Sequence, residues 1–234
     1  MLNSLIAPEE EADTQLPVPA VLVAFTAGFL CVISPLPQLL AGWGHHLSFW
    51  GTAYLSTLCG IGAMSGILFR YGGAKIFQIR RLTWGDILFC LKGTALIIPA
   101  YALVNALWKA LLTLTGIPFE ETQQLMIFAQ NISGFDFVLL AILVTIPVPV
   151  AEELLFRRIL YGGVVRQGRM TALLFTSFFF AAVHFFLAGF PGLFVIGAGC
   201  QLIYLKRKNL LAAILSHALL NACAVLSAAL STGV

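Results

Sequence analysis

Two adjacent glutamates, an arginine, two histidines and an asparagine carry the chemistry open to this sequence. They stand in three apolar stretches: Ala151-Glu152-Glu153-Leu154-Leu155-Phe156-Arg157, Phe180-Ala181-Ala182-Val183-His184 and His217-Ala218-Leu219-Leu220-Asn221. On a helix, Glu153 and Arg157 are four residues apart, share a face and can pair. Glu152 is turned by ~100° from Glu153 and stays out of that pair, free to accept a proton or hold a water. His217 and Asn221 are also four apart and can point at one spot. A carboxylate and an imidazole around one water make a general-base pair. A second imidazole with an amide can donate to a developing oxyanion. These parts suffice for amide hydrolysis with no covalent intermediate. Glu and His are also metal ligands, and Glu152, His184 and His217 with an open position would suit zinc. The residues leave both routes open. Gln201 is a weaker polar candidate in a later apolar run.

Each group has a plainer role. Glu153 with Arg157 can be a structural clasp, a lone His a hydrogen-bonded packing residue, and His217 with Asn221 glue between helices. Their joint occurrence on neighbouring segments favours a site. Other polar groups act as internal controls. Glu9-Glu10-Glu11 and Glu120-Glu121 sit in polar segments without an Arg at the matching place, and His45-His46 sits in a loop. All three read as solvated surface.

The elements that position these residues must be membrane helices. The chain has 234 residues, 60% hydrophobic and only 10% charged, whereas soluble domains are about 25% charged. An ionisable group inside a span costs about 2.5–3.5 kcal/mol on insertion scales, so those that remain need a reason. The pattern predicts an all-α, polytopic helical bundle of about seven or eight spans. Candidate spans are 18–40, 47–69, 87–114, 135–150 continuing into the next helix, 171–188, 193–205 and 210–230. Pro147 and Pro149 interrupt the fourth, which places a kink just before Ala151. The sixth is a short or re-entrant helix after the second motif, about 13 residues long, with Gly189-Phe190-Pro191-Gly192 before it at membrane depth. Residues 120–130 read as an interfacial helix. One membrane domain is expected over 1–234: a polar tail at 1–17, N-terminal helices at 18–134 and a core at 135–228.

Charge gives the orientation. Arg70, Lys75, Arg80 and Arg81 follow the second span, Arg158, Arg166 and Arg169 the fourth, and Lys206, Arg207 and Lys208 the sixth. With seven spans these loops fall on one side, cytoplasmic by the positive-inside rule, and the N-terminus joins them. Lys92 and Lys109 can snorkel to opposite surfaces. Counting ~1.5 Å per residue from the basic loops puts His217 about 13 Å deep, and Glu152 and His184 about 20 Å deep. The acidic tail lacks the basic start of a cleaved signal peptide, so the first apolar run reads as a retained span. No basic block interleaves with aromatics, so nucleic acid is not expected as a partner. Cys31, Cys59, Cys90, Cys200 and Cys223 lie in apolar runs without a C-x-x-C pair and read as small core residues. Other intramembrane protease signatures are absent. There is no H-E-x-x-H. Gly62-Ala63-Met64-Ser65-Gly66 lacks the G-x-S-G spacing and reads as a packing motif. Gly85-Asp86 lacks the preceding glycine of G-x-G-D.

With those motifs in place, the chain resembles the CPBP family: the CAAX prenyl endopeptidases and the bacteriocin-processing or immunity proteins called Abi. Its E-E-x-x-x-R matches Glu152, Glu153 and Arg157, its F-x-x-x-H matches Phe180 and His184, and its H-x-x-x-N/D matches His217 and Asn221. The resemblance covers roughly residues 135–228. It implies a helical intramembrane endopeptidase, a hydrolase cleaving a membrane-embedded or lipidated peptide, with its site open to the cytoplasmic half. It implies Glu152 as the water-activating carboxylate with His184 sharing that work, His217 and Asn221 as oxyanion donors, and Glu153 and Arg157 as supports. The family is described both as zinc metalloproteases and as metal-free glutamate-dependent enzymes, and the metal-free reading is preferred. The competing reading is a non-proteolytic immunity or scaffold protein of the same family. A proton-coupled transporter would also bury Glu and His, but no inverted repeat supports one. The expected setting is a bacterial plasma membrane, with lipid and a peptide substrate as partners.

Overall fold

A backbone in hydrocarbon must satisfy its own polar groups, and apolar runs this long do so as helices. The computed structural model describes residues 16–30, 49–72, 77–121, 132 and 134–232. Among these there is no strand. The order is α1 (Val18–Gly28), α2 (Phe49–Gly72), α3 (Trp84–Thr115), α4 (Gly134–Thr145), α5 (Pro147–Glu153), a π-helical segment Leu154–Leu160, α6 (Tyr161–Val164), α7 (Arg169–Ala182), α8 (Phe190–Arg207) and α9 (Leu210–Thr232). Among the described residues five stretches are long and apolar enough to cross a membrane: Trp50–Gly72, Trp84–Thr115, Gly134–Gln167, Leu187–Arg207 and Leu210–Leu230. Helices α1 and α7 are shorter apolar helices. The outward faces agree with a lipid setting. On α3 alone Leu88, Leu91, Leu96, Leu103, Leu107, Leu111 and Leu114 are exposed, a stripe that water would penalise and lipid accepts. The chain is thus a multi-pass helical membrane protein.

Three expectations shift. The fourth span breaks at Ile146 (φ −121°, ψ −73°), not just before Ala151, and helix resumes with a proline in its first turn, where a missing N–H costs little. The helix after the second motif is 18 residues long, not about 13. The short helix is α7, which carries the second motif and ends at Ala182. Arg158, grouped above with loop charges, is 2% exposed and lies inside the π-helical segment. The expectations for residues 1–15, the far part of the first span, Cys31, His45-His46, Lys75 and the helix beyond Glu121 fall outside the described residues.

Helix α8 packs against α7, α3 and α9, and α9 packs also on α4 and α5. Small residues let α8 approach its neighbours. A side chain at Gly197 would press on Phe180 and the Ser177 backbone of α7, and one at Gly199 would run into Ile97 of α3. Gly192 N donates to Asn105 Oδ1 of α3 at 3.0 Å, in a space only glycine leaves. The π-helical segment is enclosed by α1, α2, α5 and α7, so all seven of its residues are buried.

A polar clamp closes one end of the bundle. Thr83 caps α3 in a capping box with Asp86. Asp86 is fully buried and accepts from Arg80 at 2.7 and 2.9 Å and from Arg207 at 2.6 Å. Asn209 Nδ2 donates to Arg80 O at 3.0 Å, and Leu210 N donates to Gln78 O at 3.1 Å. Segment 77–83 is therefore tied to the α8–α9 turn, which fixes α9 relative to α3. The side chains of Arg80 and Arg207 are 44% and 29% exposed, so water would take over part of their charge if Asp86 were lost. Asp86→Asn should cost about 1–3 kcal/mol, read as earlier thermal unfolding in detergent, with His45→Ala as a neutral control.

Candidate active site

The break at Ile146 interrupts the helical hydrogen bonds between α4 and α5, and Pro147 and Pro149 add no N–H there, so carbonyls of the last turn of α4 need other donors. Asn221 of α9 supplies one, donating from Nδ2 to Val144 O at 2.7 Å. One turn earlier on α9, His217 faces α5. Glu153 ends α5, and its carboxylate accepts from Arg157 Nε at 2.6 Å and Nη2 at 3.1 Å. His217 Nδ1 lies 2.9 Å from the same carboxylate, on Oε1. A carboxylate accepts, so this contact fixes a proton on Nδ1 and turns Nε2 away. Nε2 then faces Glu152 Oε2 at 3.5 Å. Glu153 and Arg157 are 0% exposed, His217 3% and Glu152 8%. Of the two carboxylates, Glu153 is wholly committed and Glu152 keeps free lone pairs and a small opening.

Phe180 is the common neighbour of these groups. Its ring lies 5.6 Å from the Arg157 guanidinium, 5.6 Å from the His217 ring, 4.9 Å from the His184 ring and 5.2 Å edge-on from Phe156. A guanidinium over an aromatic face is attracted to its electron-rich side. Arg157 also donates from Nη1 towards Gln201 Oε1 at 3.5 Å. That contact orients the fully buried Gln201 amide, leaving Nε2 without a partner among the described residues.

His184 sits beyond the end of α7, in the turn before Phe185 (φ 49°). Its Nδ1 lies 2.6 Å from Phe180 O, an end carbonyl of α7. The carbonyl accepts, so a neutral ring keeps its Nε2 lone pair available as a base. His184 is half-buried and reaches the cluster through the Phe180 ring, since no hydrogen bond joins it to either glutamate among the described residues.

The expected residues therefore separate. Glu152, Glu153, Arg157 and His217 are in direct contact, and His184 adjoins them across Phe180. Asn221 does not share a target with His217, because its amide donor is taken by the broken helix. Glu152, His184 and His217 do not fit a zinc ion as arranged. Among the described residues no three His, Cys, Asp or Glu side chains group as a metal centre requires, because His184 stands across the Phe180 ring from His217 and Glu152. Two features had a faint signal in the sequence. Phe180 was visible only as a motif letter, and Gln201 as an isolated amide in an apolar run. The capping role of Asp86 had the T-x-x-D spacing of Thr83 to Asp86 as its signal, and its contact with Arg207 had none.

This fold and site define a polytopic helical membrane protein with buried carboxylate and imidazole groups in contact. Comparison with protein families adds its kind: residues 134–223 match the model for type II CAAX prenyl endopeptidase Rce1-like proteins. That segment, which holds all six residues discussed, is similar to the CAAX protease (CPBP) family, a family of membrane proteases. No curated protein and no solved structure matches it.

The geometry separates the two glutamates by stability. Glu153→Gln should strand the buried Arg157 and cost about 3–5 kcal/mol. Glu152→Gln removes no ion pair with Arg157 and should unfold close to wild type. Thermal unfolding in one detergent checks both, and equal losses would contradict the assignment.

Proposed function

We propose that the protein is an intramembrane endopeptidase that hydrolyses a peptide bond of a membrane-embedded or lipidated substrate with water activated at Glu152. One observation carries this reading. Glu152 is a carboxylate without an arginine partner, 3.5 Å from an imidazole nitrogen whose ring is held by a second, neutralised carboxylate. A structural clasp needs only Glu153 and Arg157. The additional carboxylate facing a positioned ring is the arrangement proton transfer needs.

In this mechanism Glu152 takes a proton from water as the oxygen attacks the scissile carbonyl. His184, with Nδ1–H held by Phe180 O, presents Nε2 on the open side and shares that proton. His217 Nε2 passes a proton between Glu152 and the departing amine or donates to the oxyanion. Glu153 and Arg157 hold that ring in place. Asn221 contributes through its carbonyl oxygen and by keeping the break at Ile146 in shape. No metal enters these steps. Burial within an apolar bundle strengthens each electrostatic contact by excluding water.

The basic end of the bundle, with Arg80, Arg81, Lys206, Arg207 and Lys208, is proposed to face the cytoplasm of a bacterial plasma membrane. Membrane proteomes of host cells carrying wild type or Glu152→Gln provide the test. The variant should be present at normal abundance and let an uncleaved precursor accumulate. In a purified assay its rate should fall by ~10²-fold or more, as should that of His184→Ala. Undiminished cellular function of Glu152→Gln would mean that the protein works by binding.

A further inference from the structure

The clamp around Asp86 uses only part of one guanidinium. Arg207 donates from Nε to Asp86 Oδ1 at 2.6 Å and lies over the Phe89 ring, 5.4 Å from its centroid. Those two contacts fix its plane. Nη1 and Nη2 have no hydrogen-bond partner among the described residues, and the side chain is partly exposed. Nη2 lies beside Gly85 of α3, where an added Cβ would stand 3.8 Å from it and a longer side chain would cover it. A guanidinium held in this way presents its outer N–H groups with little ordering left to do.

Lys92 adds a second cation. It stands on the exposed face of α3 between Leu88 and Leu96, one turn from each. Counting ~1.5 Å per residue puts it about 12 Å along the span from Trp84. Ionisable groups at such depth normally turn inward to a partner. Lys92 faces outward and has no ion pair or hydrogen bond among the described residues. Helical side chains lean towards the N-terminus, so its stem runs back over Leu88 and Phe89. Side chains three apart on a helix start ~5–6 Å from each other, so Lys92 and Arg207 flank the same aromatic ring. The surroundings are amphiphilic. Trp84, Leu88 and Phe89 are exposed, and Arg81 and Lys206 are exposed cations near the same end. Asp86 is fully buried and already shared by Arg80 and Arg207, so it neutralises neither of the other two nor Lys92.

We propose that Arg207 and Lys92 bind the phosphodiester of an anionic phospholipid, with an acyl chain laid along Leu88 and Leu96 of α3. The site contains none of the catalytic residues and does not rest on the protease reading. The charge at this end of the bundle selects an anion. The outer edge of a guanidinium suits two phosphate oxygens. The apolar stripe selects an anion that carries a hydrocarbon chain. A soluble phosphate gains nothing from the leucines on either side of Lys92.

Native mass spectrometry of the full-length protein released from detergent micelles reads the first bound lipid. The protein is titrated with phosphatidylglycerol and with phosphatidylcholine of the same acyl chains. Phosphatidylglycerol should bind roughly tenfold tighter or more, the scale of charge-assisted hydrogen bonds. Lys92→Gln should remove most of that preference, and so should Arg207→Gln. Lys92 holds no other group among the described residues, so its variant keeps the test intact even where loss of Arg207 unsettles the clamp. Arg81→Gln, and Lys109→Gln near the far end of α3, should leave the preference within about twofold, as solvated surface charges do. Equal affinity for the two lipids overturns the proposal. So does a preference that falls as far with Arg81→Gln as with Lys92→Gln, which would mean diffuse charge in place of a site. Inorganic phosphate at millimolar concentration should leave phosphatidylglycerol bound, and displacement would assign the donors to a soluble anion instead.

Discussion

Glu153 has no exposure and sits within an apolar bundle, so it can remain there ionised only with its charge answered at close range. Arg157 answers it with two parallel N–H donors, and His217 takes a further lone pair. This three-way contact joins α5, the π-helical segment and α9. Desolvating such groups is expensive, and the contact repays that only when every donor and acceptor is placed. The rest of the bundle can be understood as what that placement requires.

The requirement reaches outward in steps. Glu153 and Arg157 lie at the join of α5 and the π-helical segment, and that join stays in register because Pro147 restarts the helix at a defined point. The break leaves carbonyls on α4, and Asn221 reaches across from α9 to one of them. The helix that delivers His217 is thus held at two heights by polar contacts and at its end by the Asp86 clamp through segment 77–83. Phe180 fills the space between the charged groups with an aromatic face, keeping water from Arg157 while contacting both histidine rings. Wide turns of the π type recur where a side chain must be aimed rather than merely packed, and here the wide turn puts two consecutive arginines inside the protein.

Much of this was readable from spacing. The four-residue separation of Glu153 and Arg157 gave their pairing, and the ~100° turn gave a second glutamate left outside it. Apolar run lengths gave the number of apolar segments, and the three motifs gave the resemblance that the match over residues 134–223 supports. What misled was local irregularity. Two prolines mark a break without saying which residue absorbs it, and here Ile146 does. A Pro-Gly run looks like a helix end, yet Pro191 falls in the first turn of α8 and lengthens it. Arg158 resembled a loop charge because net charge per loop ignores burial, and only a π turn brings it inside. Asn221 shares a face with His217, but helical phase cannot reveal that a carbonyl on another helix claims its donor. Asp86 was weighed only as part of a missing G-x-G-D signature, and its clamp went unread because Arg207 comes from another helix, 121 residues away.

The central claim is that a buried, arginine-neutralised Glu153 fixes His217 and aims its other nitrogen at Glu152. Solid-state NMR on the protein in lipid bilayers, with ¹³C in glutamate side chains and ¹⁵N in histidine rings, measures it directly. A dipolar-recoupled contact between the Glu153 carboxyl carbon and His217 Nδ1 is expected at about 3.5–4 Å, the carbon distance that accompanies a normal N–H···O bond, and Glu153→Gln should alter the His217 resonances. A separation well beyond hydrogen-bonding range, or His217 resonances indifferent to Glu153→Gln, would contradict the account.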